Sequence, residues 1–440
     1  MSYSNTQIEN SNTQIENNNT QIENSNIQTE NSNTQTENSS NYQESLSDDD
    51  IQDHTENLDL EGKILSKYNI LQKLGTGMYS IVWLSYNIEN QKFYAIKVQH
   101  PDEYKEGLNE NKFMKKLPND YNFNNLIECF VEVTNNKKYL CSVYNLHSCN
   151  LDCLIRKGNY SNGIPFNQSI KIIKELFKSI YYLHKKLKVC HADIKTDNIL
   201  LKGITKLNNY LIDLYKLENF NEKYKNLKIN YCLKNNKKLD NITSKEKRQI
   251  RYDIHSEIYE NIIDKYNKCE IDKYHINFDD LSISLADFGS FLEEDQHYDT
   301  PFGTRYYRSP ENILVGNSSY PNDIWALGCT IYEILSGEIL FDPDKDKKYD
   351  RDFYHLKLIN ELCGNFSKDF LKKTSKFKIF FDNNYKIKFD KDLNFKNKID
   401  IKLQNKVPDI IIKLIKDMLI IDPKKRITIN ECINVINNYK

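Results

Sequence analysis

Net charge, glycine, proline and long apolar runs are all scarce in this 440-residue chain, and each scarcity narrows what it can be. Lys and Arg number 61 against 62 Asp and Glu, a formal charge of -1, so no global basic field draws the molecule to nucleic acid or to an anionic membrane. Any charged partner has to be met by a local patch. The ten cysteines, among them Cys129, Cys141, Cys190, Cys329 and Cys432, form no CxxC pair and no Cys/His ligand spacing. That argues against a disulfide framework or a zinc site and fits the reducing cytoplasm or nucleus. No basic and apolar signal region opens the sequence, and the longest apolar stretches, such as 410 to 421, are broken by Lys and Asp. A soluble chain without membrane contact is therefore expected. Only 13 Gly and 9 Pro punctuate it, while Asn, Lys, Ile and Tyr are heavily used. That bias looks like the product of an A+T-rich genome and strips the Asn-rich stretches of functional meaning. The remaining 39% of hydrophobic residues, with 30 Tyr and 20 Phe, suffice for one two-lobed unit with extensions.

Residues 1 to 57 read as a low-complexity tail. From 4 to 38 it repeats a seven-residue unit with Ile8, Ile15 and Ile22 in register, then Thr29 and Thr36. One apolar position per heptad, lost halfway, cannot form a coiled-coil seam, so disorder is expected. From Tyr68 the pattern alternates: 68 to 74, 81 to 86 and 92 to 98 read as three strands of a small β-rich lobe, about 68 to 146. Helical spacing then takes over, as in Ile170, Ile173, Leu176, Phe177, Ile180 and Leu183, and in Ile324, Leu327, Ile331 and Leu335. This marks a larger α-rich lobe, about 147 to 440, in an α+β, bilobal fold.

The chemistry is concentrated in a few segments. His191-Ala192-Asp193-Ile194-Lys195-Thr196-Asp197-Asn198 and Asp287-Phe288-Gly289 together offer a proton acceptor, a phosphate-directed cation and two metal ligands. The run Leu74, Gly75, Thr76, Gly77, Met78, Tyr79, Ser80, Ile81 and Val82 sits between two strands, where small residues let backbone N–H groups close over phosphates. Fifteen residues after Val82 comes Lys97, in Tyr-Ala-Ile-Lys. This set resembles that of protein kinases. The resemblance implies ATP and Mg²⁺ as cofactors, Asp193 accepting the hydroxyl proton, Lys195 on the γ-phosphate, Lys97 on the α- and β-phosphates, and Asn198 and Asp287 as metal ligands. Lys97 needs a carboxylate from the next helix. Glu110, with Phe113, Met114 and Leu117 on its stripe, is the first choice, and Glu106 is its rival. The strand 139 to 146 leads to a linker whose backbone at Asn145, Leu146 and His147 would face the adenine. Lys195 two residues after Asp193 is the Ser/Thr-kinase arrangement. Ala192 stands where most kinases carry the Arg that pairs with a phosphorylated activation segment, so activation by phosphate is not expected. Glu311 and Arg426 can form the buried ion pair of the large lobe.

Roughly from 68 to 440 the chain resembles the serine/arginine-rich protein kinases of the CMGC group more closely. The resemblance rests on Ser80 and the following Trp83-Leu84, on Cys190 to Lys195 without the Arg, and on Thr304 to Glu311. It rests further on Leu340-Phe341-Asp342-Pro343, on Tyr349 to Leu356 and on Glu361 to Gly364. That family splits its core with a spacer, and here 89 positions separate Asn198 from Asp287. The insert spans about 202 to 281. Thr243-Ser244-Lys245-Glu246 offers a capping box before Ile250, Ile254, Ile258 and Ile262, and Leu207, Leu211, Leu214 and Leu217 suggest another helix. The resemblance also implies protein substrates rich in Arg/Ser repeats. Glu338 and Glu361 would be docking carboxylates, and Arg305, Arg308 and Arg351 a basic cluster for an already phosphorylated Ser. Tyr354 falls where the family has an acid, and Thr196 replaces the usual Pro. A monomer acting without nucleic acid or membrane is expected. The competing readings are a dual-specificity CMGC kinase that phosphorylates its own Tyr306 or Tyr307, and a pseudokinase scaffold; the latter would have lost Lys97, Asp193, Asn198 or Asp287, and all four are present.

Overall fold

The computed structural model describes residues 59–77, 79–134, 136–271, 281–293, 299–316 and 320–439, all within the compact unit from Thr55 to Lys440. The repeat tail lies outside the described residues.

The small lobe is built from β1 (Ile64–Leu65), β2 (Tyr68–Thr76), β3 (Ser80–Asn87), β4 (Lys92–Gln99), helix α1 (Tyr104–Met114), β5 (Leu126–Thr134) and β6 (Lys137–Tyr144). The strands form one antiparallel sheet in the order β1-β2-β3-β4-β6-β5. Alternation along β3 sends Ile81 and Trp83 into a cluster with Tyr68, Ile70, Ile96, Val98, Cys141 and Val143, and turns Val82, Leu84 and Tyr86 to the opposite face. The sheet curls until the β1–β2 turn reaches β5: Ser66 N donates to Glu132 Oε2 at 3.2 Å and Lys67 Nζ lies 3.1 Å from Glu128 Oε2.

The larger lobe follows with β7 (His147–Asn150), α2 (Leu151–Lys157), α3 (Phe166–Tyr182), β8 (Val189–Cys190) and β9 (Ile199–Lys202). After the insert helices α4 (Lys206–Leu217), α5 (Phe220–Lys234) and α6 (Ser244–Asn267) it resumes with β10 (Ile283–Leu285), β11 (Leu292–Glu293), α7 (Pro310–Ile313), α8 (Tyr320–Ser336) and α9 (Arg351–Cys363), and further helices end at Asn438. Helix α8 is buried throughout from Asn322 to Ser336, as a helix apolar on every side must be, and it is the post on which the lobe is hung. The pairs β9–β10 and β8–β11 bring two connecting loops, 191–198 and 286–291, side by side. Ala286 N donates to Asn198 O at 2.9 Å across them.

The insert is spliced between β9 and β10 of the larger lobe yet packs on the smaller one. Leu211 and Tyr215 of α4 and Ile250, Ile254, Ile258 and Ile262 of α6 cover Leu71, Leu84 and Tyr86 of β2 and β3. Each buried Ile contributes roughly 1.5–3 kcal/mol. The capping box is formed, with Glu246 N on Thr243 Oγ1 at 3.3 Å and Thr243 N on Glu246 Oε2 at 2.9 Å. The apolar interface also encloses a polar chain. Arg251 Nε donates to Asn69 Oδ1 (2.9 Å), Asn69 Nδ2 to the Tyr215 hydroxyl (2.8 Å), that hydroxyl to His255 Nδ1 (3.0 Å), and His255 Nε2 to Ile70 O (2.9 Å).

Burial pushes the His255 pKa down to about 4, so the ring is neutral in the fold. Unfolded, it would take a proton below pH 6.5. The stability its neutral form contributes is complete above pH 6.5 and is lost as pH falls towards about 4, about 3 kcal/mol in all. Acidification through this window is expected to loosen the insert from β2, read by hydrogen exchange at the amides of α4 and α6. Protection that stays level down to pH 4 would contradict it.

None of the ten cysteines, all of them among the described residues, is in a disulfide. Among the described residues no helix is long and apolar enough to cross a membrane.

Candidate active site

The loop after β8 is fixed from below. Asp323 of α8, 1% exposed, accepts from His191 N (2.8 Å), Ala192 N (2.9 Å) and His184 Nε2 (2.8 Å). Burial opposes its charge, but the His184 hydrogen bond and its other partners outweigh burial and hold the Asp323 carboxyl below the usual carboxylate range. Two backbone hydrogen bonds onto one buried carboxylate can hold Ala192 at φ 67°, a conformation a non-glycine residue adopts only at a cost of about 1–3 kcal/mol. The turn presents Asp193. Its Oδ1 accepts Thr304 N at 2.8 Å and its Oδ2 lies 3.0 Å from Lys195 Nζ. Lys195 Nζ donates in turn to Thr304 Oγ1 at 2.6 Å. The segment carrying Thr304 comes this close because residue 303 is glycine: a Cβ on Gly303, at φ 67°, would stand 2.4 Å from Ala192 O.

Across the cleft, Lys97 of β4 donates to Glu110 Oε1 and Oε2 at 3.1 and 3.0 Å and to Asp287 Oδ1 at 3.1 Å. Glu110 is buried on α1, whereas its rival Glu106 is exposed and takes no part. Phe113 and Met114 share its buried stripe, and Leu117 falls just past the helix end. Burial works against the Lys97 charge, but Asp287 and Glu110 outweigh it and hold its pKa above the ordinary value. Lys97 likewise holds the Asp287 carboxyl below the usual carboxylate range.

The predicted phosphate loop is the β2–β3 hairpin, closed by Gly77 N on Ser80 O at 2.8 Å. Met78 lies outside the described residues, and Tyr79 is exposed. A side chain on Gly75 would meet no protein atom within 4 Å, so the glycines leave an open cradle of backbone that fits a polyphosphate. Leu74, Val82, Ala95, Tyr144 and Leu146 belong to one apolar cluster with Leu201 of the larger lobe, a fit for a planar base between lobes. At the linker, the Asn145 carbonyl lies 3.1 Å from His147 Nδ1, and His147 pairs with Lys202. Burial lowers the His147 pKa to about 4.

Asn198 Nδ2 donates to Asp193 O at 2.8 Å and to Asp193 Oδ2 at 3.2 Å, which leaves its amide oxygen as the group that could meet a cation. No cluster of three or more His, Cys, Asp or Glu able to hold a metal occurs among the described residues. Two oxygen donors fit Mg²⁺, which completes its octahedron with phosphate oxygens and water.

The residues expected to bind substrate are placed less simply. Glu361 is a correction: its side chain is 4% exposed, and its two oxygens accept Leu393 N and Phe395 N, each at 2.9 Å. It holds the chain's own 390s loop and presents no free carboxylate, because the loop folds over it. Glu338 is 42% exposed and paired with Lys402. Arg305 is buried and paired with Asp352, so it is a brace of its own segment. Arg308 Nε donates to Gly303 O at 3.0 Å, and Arg351 is the first residue of α9. Sequence reasoning missed Asp323, Thr304 and Glu333. Asp323 and Glu333 stand as charges inside an apolar helix, a signal that was legible; Thr304 carries none.

The model of the protein kinase domain matches residues 68–236 and 260–435, breaking only inside the insert. A serine/threonine-protein kinase of Acanthamoeba polyphaga mimivirus is 28% identical, covering 77% of this chain and 80% of that protein. The serine/threonine-protein kinase SRPK of Physarum polycephalum is 27% identical over 72% of each. A dual specificity protein kinase of Schizosaccharomyces pombe is 25% identical, over 84% of this chain and 46% of its own length. With the fold, the paired loops and these relatives in agreement, the chain belongs to the protein kinase family and is a serine/threonine-protein kinase, similar to the SRPK kinase of Physarum polycephalum.

Proposed function

We propose that the chain transfers the γ-phosphate of ATP to Ser, and to Thr, in Arg/Ser-rich proteins. The observation that carries the reading is a pair of ties at the cleft: Lys97 held by Glu110 of its own lobe and by Asp287 across the cleft, and Asp193 held within the larger lobe by Lys195 and Thr304. Mg²⁺, when bound with ATP, supplies charge neutralisation on the phosphate oxygens. Asn198 and Asp287 would hold it. Lys97 orients the α- and β-phosphates, Lys195 meets the γ-phosphate, and Asp193 accepts the proton of the attacking hydroxyl. The β2–β3 hairpin excludes water above them, and the 145–147 backbone takes the adenine edge.

The Arg/Ser preference is supported by the SRPK relative and by Glu338. An exposed Lys–Glu pair is worth at most about 1 kcal/mol, so a substrate Arg can displace Lys402 from Glu338 and gain a two-pronged contact that Lys cannot make. Arg308 and Arg351 would face a phosphorylated neighbour. Own-tyrosine phosphorylation at Tyr307 is disfavoured, since its hydroxyl is buried on Glu333 Oε2 at 2.6 Å. With an Arg/Ser peptide and a Lys/Ser peptide of equal charge, kcat/KM should favour Arg/Ser by roughly tenfold, one two-pronged contact. Equal use of both would remove the docking claim and leave the kinase.

A further inference from the structure

We propose that Thr196 is a positioning residue, which ties the catalytic loop to the segment from Thr304 to Tyr307 through the buried carboxylate of Glu333. The inference rests on Asp193 acting as the base.

Thr196 is wholly buried, between Lys195 and Asn198. Its Oγ1 lies 3.3 Å from Glu333 Oε2. The same oxygen accepts the Tyr307 hydroxyl at 2.6 Å, and Arg156 of α2 is paired with Oε1. One carboxylate, 1% exposed and planted on the rigid α8, thus gathers three elements: the loop that carries the base, the segment just after Thr304, and α2. The upper tie between loop and segment is Thr304 on Asp193 and Lys195; the lower is Thr196 and Tyr307 on Glu333. A proline at 196 would have no hydroxyl to give, so the lower tie to the loop exists in this chain because Thr stands there.

Glu333 is faced by Arg156 and Asp152 from α2, Tyr307 from the segment and Thr196 from the loop, with Cys329 on its own helix. Burial raises its pKa to about 7, against the lowering pull of Tyr307, Arg156 and Thr196. Burial keeps the Tyr307 hydroxyl protonated, as a donor. The ionised carboxylate that accepts both hydroxyls is therefore the form above about pH 7, and removing the Thr196 donor shifts its titration upward.

The test is a pH profile of steady-state transfer by full-length wild type, Thr196→Val and Thr196→Ser. Thr196→Val, nearly isosteric, should lower kcat roughly fivefold at pH 7, the worth of one hydrogen bond, leave KM for ATP unchanged, and move the acid limb to higher pH. Thr196→Ser should restore both the rate and the limb. A Thr196→Val enzyme with wild-type kcat and limb would overturn the proposal, as would Thr196→Ser behaving like Thr196→Val. Absence of transfer by the wild type would instead overturn the reading of Asp193.

Discussion

Asp193→Asn should slow phosphate transfer by about 10²- to 10⁴-fold, the span that a positioned proton acceptor contributes, with the dissociation constant for ATP nearly unchanged. The substituted amide keeps the shape of the side chain and can still accept Thr304 N through its Oδ1, so the loop stays in place. It loses the ability to take a proton and the charge that meets Lys195 at 3.0 Å. Nucleotide binding is expected to survive because Lys97, Glu110 and Asp287 are joined in a cluster of their own in which Asp193 takes no part. Steady-state rates and an equilibrium titration with ATP check the two halves separately. Comparable turnover in the variant would refute the role assigned to Asp193.

The second large effect is on stability. Arg426 is fully buried and satisfies all its donors: its Nη1 and Nη2 meet Glu311 Oε1 and Oε2 at 2.6 and 2.9 Å, and its nitrogens also reach the carbonyls of Pro321, Ile420 and Ile421. Its guanidinium lies 5.1 Å from the centre of the Trp325 ring. Arg426→Met should cost about 3–5 kcal/mol, because it strands the Glu311 carboxylate, 3% exposed, without a partner. Removing both charges with Glu311→Gln and Arg426→Met together should recover part of that loss, since a buried pair is worth less than the penalty for breaking it. Urea unfolding of the single and double variants reads both. A single variant less than about 1 kcal/mol below wild type would show that the pair is not the clamp described.

The site was legible in the sequence wherever a local pattern carries the chemistry. Glu110 could be chosen over Glu106 because its i+3 and i+4 neighbours are apolar, and that stripe is what buries it beside Lys97. The start of α6 could be placed because Thr243 and Glu246 encode their own cap. The insert's partner could not be read: the Ile250 to Ile262 stripe announces a buried face but not which surface covers it. Its polar chain joins residues as far apart as Asn69 and Tyr215, a pairing no local window contains. Helix α5 went unread because its apolar residues fall on both faces, leaving Leu233 75% and Leu227 40% exposed. Glu361 was assigned by resemblance, and here the chain's own loop claims its carboxylate.

We propose that the arrangement described, with Asp193, Lys195 and Thr304 joined directly and Ala192 in the place of a phosphate-reading Arg, needs no phosphate to complete it. The measurement that tests this most directly is the time course of product formation by phosphatase-treated wild-type chain with ATP, Mg²⁺ and an Arg/Ser peptide. The account predicts a linear course from the first time point, unaffected by preincubation with ATP. A lag that preincubation abolishes, or no phosphoserine at all while ATP still binds, would contradict it.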